Sequence, residues 1–150
     1  EGLMDRQGLL KEPYFTKGIR IGDVLVTKEA VRAVQLAKGA IAAGIEILTE
    51  SYGIRLSDIS RVVLAGGFGY YLDPKAAAAI GLLPKELTER TVTGGNTALS
   101  GAALVGSRIL TGQLRAWDDL RWRQELQMQI LNLAEQVKFT ETFLKKMDFC

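Results

Sequence analysis

The stretch Arg61-Val62-Val63-Leu64-Ala65-Gly66-Gly67-Phe68-Gly69 decides how this sequence is read. Its apolar run, half of it β-branched, has no polar break and stops at glycines. Such a run predicts a strand buried on both faces, as in a parallel or mixed sheet covered by helices. Thr91-Val92-Thr93 followed by Gly94-Gly95-Asn96 predicts a second short strand that ends the same way. A helix follows each. Asp73 supplies an N-cap and Pro74 an N1 residue for a helix through Lys75 to Ile80, ended by Gly81. Thr97 to Leu110 is again helical in pattern, with Gly101, Ala102 and Ala103 forming a thin face. Upstream, Thr27 is an N-cap and Glu29 a first-turn acid for a long helix closed by Gly53. Its apolar stripe is Val31, Val34, Ile41, Ile45, Leu48 and Tyr52, beside a stripe of small residues at Ala30, Ala33, Ala37, Ala40 and Gly44. The order helix–strand–helix–strand–helix predicts an α/β fold.

The flanks are plainer. Residues 1–26, with five glycines or prolines and one apolar run at Val24-Leu25-Val26, read as a connecting segment with one short strand. Gln113 to Leu133 reads as a further helix with Leu114, Trp117, Leu120, Leu126 and Ile130 as packing positions. Gln136 to Phe139 has the pattern of an edge strand, and Thr140 to Met147 that of a terminal helix. The opening Glu1-Gly2-Leu3-Met4-Asp5 matches neither a signal nor a transit peptide and reads as the start of a fragment. No apolar run approaches the roughly eighteen residues of a membrane span. A soluble, cytoplasmic protein with no membrane partner is expected.

Composition narrows the chemistry. The 150 residues are 47% hydrophobic and 24% charged, and area scaling buries about two-thirds of such a chain, enough for one core. Nineteen basic against seventeen acidic residues leave +2, too little to argue for nucleic acid or an anionic surface. There is no histidine, so Ser-His-Asp hydrolysis, histidine acid–base catalysis and histidine-ligated zinc are excluded within this chain. The single cysteine, Cys150, makes no internal disulfide and holds no iron–sulfur cluster alone.

What remains is the pair of glycine turns. Glycine lets backbone approach a ligand without a Cβ, and the N–H groups at a helix start favour anions. Ligands of open α/β sheets also sit beyond the strand ends. A tight strand-to-helix turn explains the same glycines without a ligand, and the spacing leaves the two readings level. Neither Gly-x-Gly-x-x-Gly nor a P-loop is present.

Val62 to Gly69 resembles the adenosine motif of the ASKHA superfamily, which includes sugar kinases, acetate kinase, chaperone ATPases and actin. Asn96 to Leu104 is similar to the helix that follows it there, the second connecting motif. Three segments in order, Val34 to Ile45, Ala65 through Pro84 and Gly95 to Ala102, resemble the C-terminal part of the reductive activators of corrinoid proteins, as does the ending Lys138 to Phe149. The resemblance covers about residues 24–149. It implies one lobe of an ASKHA (ribonuclease H-like, actin-like) ATPase domain, a mixed sheet flanked by helices. Within that lobe, 1–26 is a connecting segment, 27–112 the nucleotide-facing core and 113–150 C-terminal helices.

The family pairs a ferredoxin-like N-terminal domain carrying a 2Fe-2S cluster with a C-terminal ATPase domain. It passes an electron to a corrinoid protein fallen into its inactive Co(II) state, with ATP hydrolysis helping the uphill step. The resemblance therefore implies ATP or ADP with Mg2+ as ligands and a corrinoid protein as partner. This chain lacks the phosphate-binding hairpin of the first lobe and the cluster cysteines, so it is expected not to hydrolyse ATP alone. An apolar face left by a missing lobe is a route to self-association as a homodimer.

Site expectations follow residue by residue. Gly66, Gly67 and Gly69 would let backbone run beside the adenosine and α-phosphate, with Gly95 in the second turn. Asn96 would cap the Thr97 helix, either as its whole role or while also facing the nucleotide. Phe68 would stack near the base or plug the core. Lys38, with Gln35 one turn earlier, would line the adenosine pocket as a lysine does in chaperone-like members; the other reading is a lysine snorkelling from the edge of the stripe. Arg115, Trp117, Arg121, Trp122 and Arg123 read as a partner surface or a solvated helix face. Two other functions compete: another ASKHA enzyme, a dehydratase activator or small-molecule kinase, and a non-catalytic interaction module that retains the fold.

Overall fold

A computed structural model of the chain describes residues 2–113 and 129–149. The expected helix through 113–133 and the basic–aromatic cluster lie, for residues 114–128, outside the described residues. Ile130, just beyond, is exposed.

The chain opens with a short helix α1 (Tyr14–Lys17) and a two-stranded antiparallel hairpin, β1 (Ile19–Ile21) with β2 (Val24–Val26). Gly22, with φ of 58°, makes the turn between them. The connecting segment therefore holds two strands where the sequence suggested one. Helix α2 (Lys28–Tyr52) starts and stops where its caps predicted: Thr27 Oγ1 accepts from the Ala30 N–H at 3.3 Å, and Gly53 is left-handed at φ 70°.

Strand β3 (Val62–Ala65) runs parallel to β4 (Thr91–Gly95), in a sheet separate from the hairpin. Between them come α3 (Gly66–Tyr70), α4 (Pro74–Ala79) and a 3-10 segment Lys85–Arg90. Asp73 Oδ1 caps α4 by accepting from the N–H groups of Lys75 and Ala76. Helix α5 (Thr97–Leu110) follows β4, and α6 (Phe139–Met147) ends the described chain. The architecture is the expected α/β one.

The core lies where this crossover closes. Ala77, Leu82, Leu83 and Leu87 are buried together, with Ile45 of α2, Leu56, Ile59, Val62 and Leu72 packed against them. Arg90 braces the same corner from outside, donating to the carbonyls of Ser57 at 2.9 Å and Ile59 at 2.7 Å.

Two expectations are corrected. Gln136 to Phe139 is not an edge strand: the Phe139 N–H donates to the Gln136 carbonyl at 2.9 Å, a turn that leads into α6. Among the described residues no strand pairs with it, and Val137 is fully open to solvent. The buried face of α2 is also rotated from the predicted stripe. Val31 is buried and Ile45 half-buried, but Val34, Ile41, Leu48 and Tyr52 are exposed, Tyr52 at 80%. The face that packs is Val31, Gln35, Lys38, Gly39 and Ala42. The reason is α6, which crosses at Gly39, where an added Cβ would stand 3.0 Å from Met147 Cγ. Periodicity shows that a helix has an apolar face; it does not show what lies against that face.

Leu87→Ala is expected to destabilise the fold by about 2–5 kcal/mol, because Leu87 is 1% exposed at the centre of the core. Leu110→Ala, at a side chain 89% exposed, is expected to fall within about 0.5 kcal/mol of the parent. Urea denaturation of the two variants measures both.

Candidate functional site

The parallel pairing of β3 with β4 decides the geometry of the site. Val62 pairs with Thr91, Val63 with Val92 and Leu64 with Thr93, so both strands point the same way and finish together. The register then slips, and Ala65 pairs with Gly95. Gly66–Gly67–Phe68–Gly69 and Gly95–Asn96 are thereby set side by side at the carboxyl edge of the pair. Gly94 lies so close beneath β3 that a Cβ there would stand 2.7 Å from Val63 Cγ1.

The glycines differ in what requires them. Gly66 has φ of 83° and Gly95 has φ of 67°, values that L side chains rarely adopt. Gly69 packs onto β3, where a Cβ would stand 2.9 Å from the Leu64 carbonyl carbon. Gly67 has neither constraint: its φ is not positive, and a Cβ there would meet nothing within 4 Å. Nothing within the described fold asks for glycine at 67. It borders open space at the start of α3, whose first turn has no side-chain cap.

Asn96 does what its position predicted: Oδ1 accepts from the Leu99 N–H at 3.1 Å and caps α5. Phe68 is exposed, so it does not plug the core. Beyond it, Tyr70 and Tyr71 stand edge to face with centroids 4.8 Å apart. They form one side of an open cleft of about 550 Å³ completed by Asp73, Lys75, Thr88 and Glu89. This aromatic wall was missed in the sequence, although the tyrosine doublet directly after Gly69 was a signal. Asp73 is committed to capping α4, which leaves it poorly placed as a kinase base.

Gln35 and Lys38 stand elsewhere. Both are buried on α2, and their polar ends reach backbone carbonyls of the chain's terminal segments: Gln7 and Met147 for Gln35, Lys146 and Asp148 for Lys38. The lysine does not snorkel outward. The structure gathers Gly66, Gly67, Phe68, Gly69, Gly95 and Asn96 at one edge and places Gln35 and Lys38 at the α2–α6 junction. Along the outside of α6, Lys145 Nζ sits 2.7 Å from Glu141 Oε1, a contact that holds the carboxyl below and the ammonium above their ordinary pKa values.

At the glycine edge the backbone of Gly66 and Gly67 borders open space, where an added Cβ would meet nothing within 4 Å. An iron–sulfur cluster does not fit this chain, whose one cysteine is Cys150. Among the described residues, no helix is long and apolar enough to cross a membrane.

A parallel strand pair ending in two glycine turns, each leading into a helix, belongs to an α/β lobe. The chain belongs to the family of RACo C-terminal domains, described as the ASKHA domain of RACo, whose model matches residues 12–150. It is 49% identical over 128 residues to the corrinoid activation enzyme RamQ of Eubacterium limosum, a match that takes in 85% of this chain and 20% of RamQ. It also superposes on a solved reductive activator for corrinoid, iron–sulfur protein with a TM-score of 0.73 and 26% identity, over 99% of this chain and 26% of that one. The chain thus spans about a fifth of the curated relative and about a quarter of the solved one.

If Gly67 is kept for a ligand and Gly69 for the fold, their alanine variants differ in stability. Gly69→Ala is expected to lose about 1–3 kcal/mol through the clash with Leu64. Gly67→Ala is expected to be neutral or slightly stabilising, since alanine is the better helix former and has room. Chemical denaturation of both variants distinguishes them.

Proposed function

We propose that this chain is the C-terminal nucleotide-binding lobe of an ATP-dependent iron–sulfur reductive activator that returns an inactive Co(II) corrinoid protein to its active state. One observation carries the reading: two parallel strands end side by side in glycine turns, with Gly67 bordering open space, in a chain of the RACo C-terminal family. The similarity to RamQ and to the solved activator supports the corrinoid partner.

Each residue then has a definite task. Gly66 turns the chain out of β3, and Gly67 keeps the approach to the adenosine and α-phosphate free of side chains. Gly69 seats the turn against Leu64, and Gly95 with Asn96 presents the second turn while fastening α5. Phe68 offers an exposed ring beside the base. Hydrolysis of ATP, with Mg2+, supplies the free energy for the uphill electron transfer. The cluster and the phosphate-binding hairpin belong to parts of the activator outside this chain, and the lobe alone is not expected to hydrolyse ATP. Gln35 and Lys38, held at the α2–α6 junction, are given a different role below.

The test is calorimetric titration of ADP into the activator carrying both lobes, beside Gly67→Asp. Saturable binding weakened by about tenfold or more in the variant, with its circular dichroism unchanged, is the expected result; each tenfold step is about 1.4 kcal/mol. A well-folded protein that binds no ADP at millimolar concentration would overturn the reading.

A further inference from the structure

Two segments of the chain, one from each end, converge on the middle of α2. Gln35 Nε2 donates to the Gln7 carbonyl at 2.7 Å and to the Met147 carbonyl at 3.3 Å. Lys38 Nζ, one turn on, donates to the carbonyls of Lys146 at 2.6 Å and Asp148 at 2.5 Å, and lies 5.0 Å from the centroid of the Phe149 ring. Three consecutive carbonyls at the end of α6 are thus taken by two side chains of α2. Lys38 is 1% exposed and Gln35 4%. The N-terminal turn is stitched into the same place: the Phe149 N–H donates to the Arg6 carbonyl at 2.8 Å, and Gly8 lies against the Gln35 amide, where a Cβ would be 2.6 Å from Nε2.

Each partner needs the other. The last carbonyls of a helix have no donor within it and form the negative end of its dipole. An ammonium has three donors and no acceptor, and its burial is costly unless those donors are met. We propose that Gln35 and Lys38 are a buried clasp that fastens the 6–8 turn and the C-terminal segment 139–149 to α2. Lys38 makes that docking all-or-none, because undocking removes the carbonyls its buried charge requires. The clasp also sets one wall of a groove of about 480 Å³ between α2, the 81–86 segment and α6. It does not depend on the nucleotide reading.

The measurement is the melting temperature of four proteins: the full chain, Lys38→Met, the chain ended after Lys145, and that shortened chain with Lys38→Met. Lys38→Met is expected to lower the melting temperature of the full chain and to leave that of the shortened one nearly unchanged, where the carbonyls of 146 and 148 are gone and the ammonium is open to water. A change of the same sign and size in both backgrounds would overturn the clasp. If the shortened chain does not fold, hydrogen exchange on the full chain decides. Lys38→Met is then expected to speed exchange at residues 143–149 by about tenfold or more while leaving β3 and β4 within about twofold. Unchanged protection at 143–149, or a uniform rise that includes β3 and β4, would refute it.

Discussion

The parallel contact between β3 and β4 is the constraint on which the rest of this lobe depends. Parallel strands cannot be joined by a tight turn, so the chain between Ala65 and Thr91 must travel back along the sheet. It does so through α3, α4 and the 3-10 segment, and the residues that make this return also make the core: Ala77, Leu82, Leu83 and Leu87. The same pairing brings two strand ends to one edge. Two glycine turns separated by more than twenty residues become neighbours because β3 and β4 are hydrogen-bonded in register. Closeness at Gly94 against Val63 and at Gly69 against Leu64 then leaves little freedom in how the turns are set.

Helix α2 has a second organising role. One side packs on the core through Ile45, another meets α6 across Gly39, and a third presents Val34, Ile41, Leu48 and Tyr52 outward. Helix α5 repeats the last feature more strongly. Its sequence is rich in alanine, leucine and valine, yet it has no buried residue among those described, and Leu99, Leu104, Val105 and Leu110 are all exposed. Val63 and Val92, paired across the sheet, are also half open.

How much was legible depended on the range over which each feature is determined. The caps at Thr27, Asp73 and Asn96 and the left-handed stop at Gly53 were legible because a cap is settled within three or four residues. The strand at 62–65 was legible from its unbroken apolar run, but the burial on both faces that this run predicted is not found: Val63 and Ala65 are exposed on one face. The glycine turns were legible as turns, but the spacing could not show which glycines the fold itself requires; the clash at Gly69 and the open space at Gly67 are visible only in three dimensions. Val137 in an apolar-looking stretch suggested a strand, but strand formation needs a partner, and local sequence carries no record of one.

The amino-acid order by itself therefore determined the α/β class, the helix caps at Thr27, Gly53, Asp73 and Asn96 and the motifs that mark the family, since each of these is set by neighbours along the chain. Tertiary structure decided which face of α2 is buried, because the burying partner, α6, lies about a hundred residues away in sequence. It also decided what Lys38 does. A lysine within an apolar helix pattern has two resolutions, a head in solvent or a head met by buried acceptors. The choice depends on whether carbonyls from a distant helix end arrive at that point, and here those of Lys146 and Asp148 do.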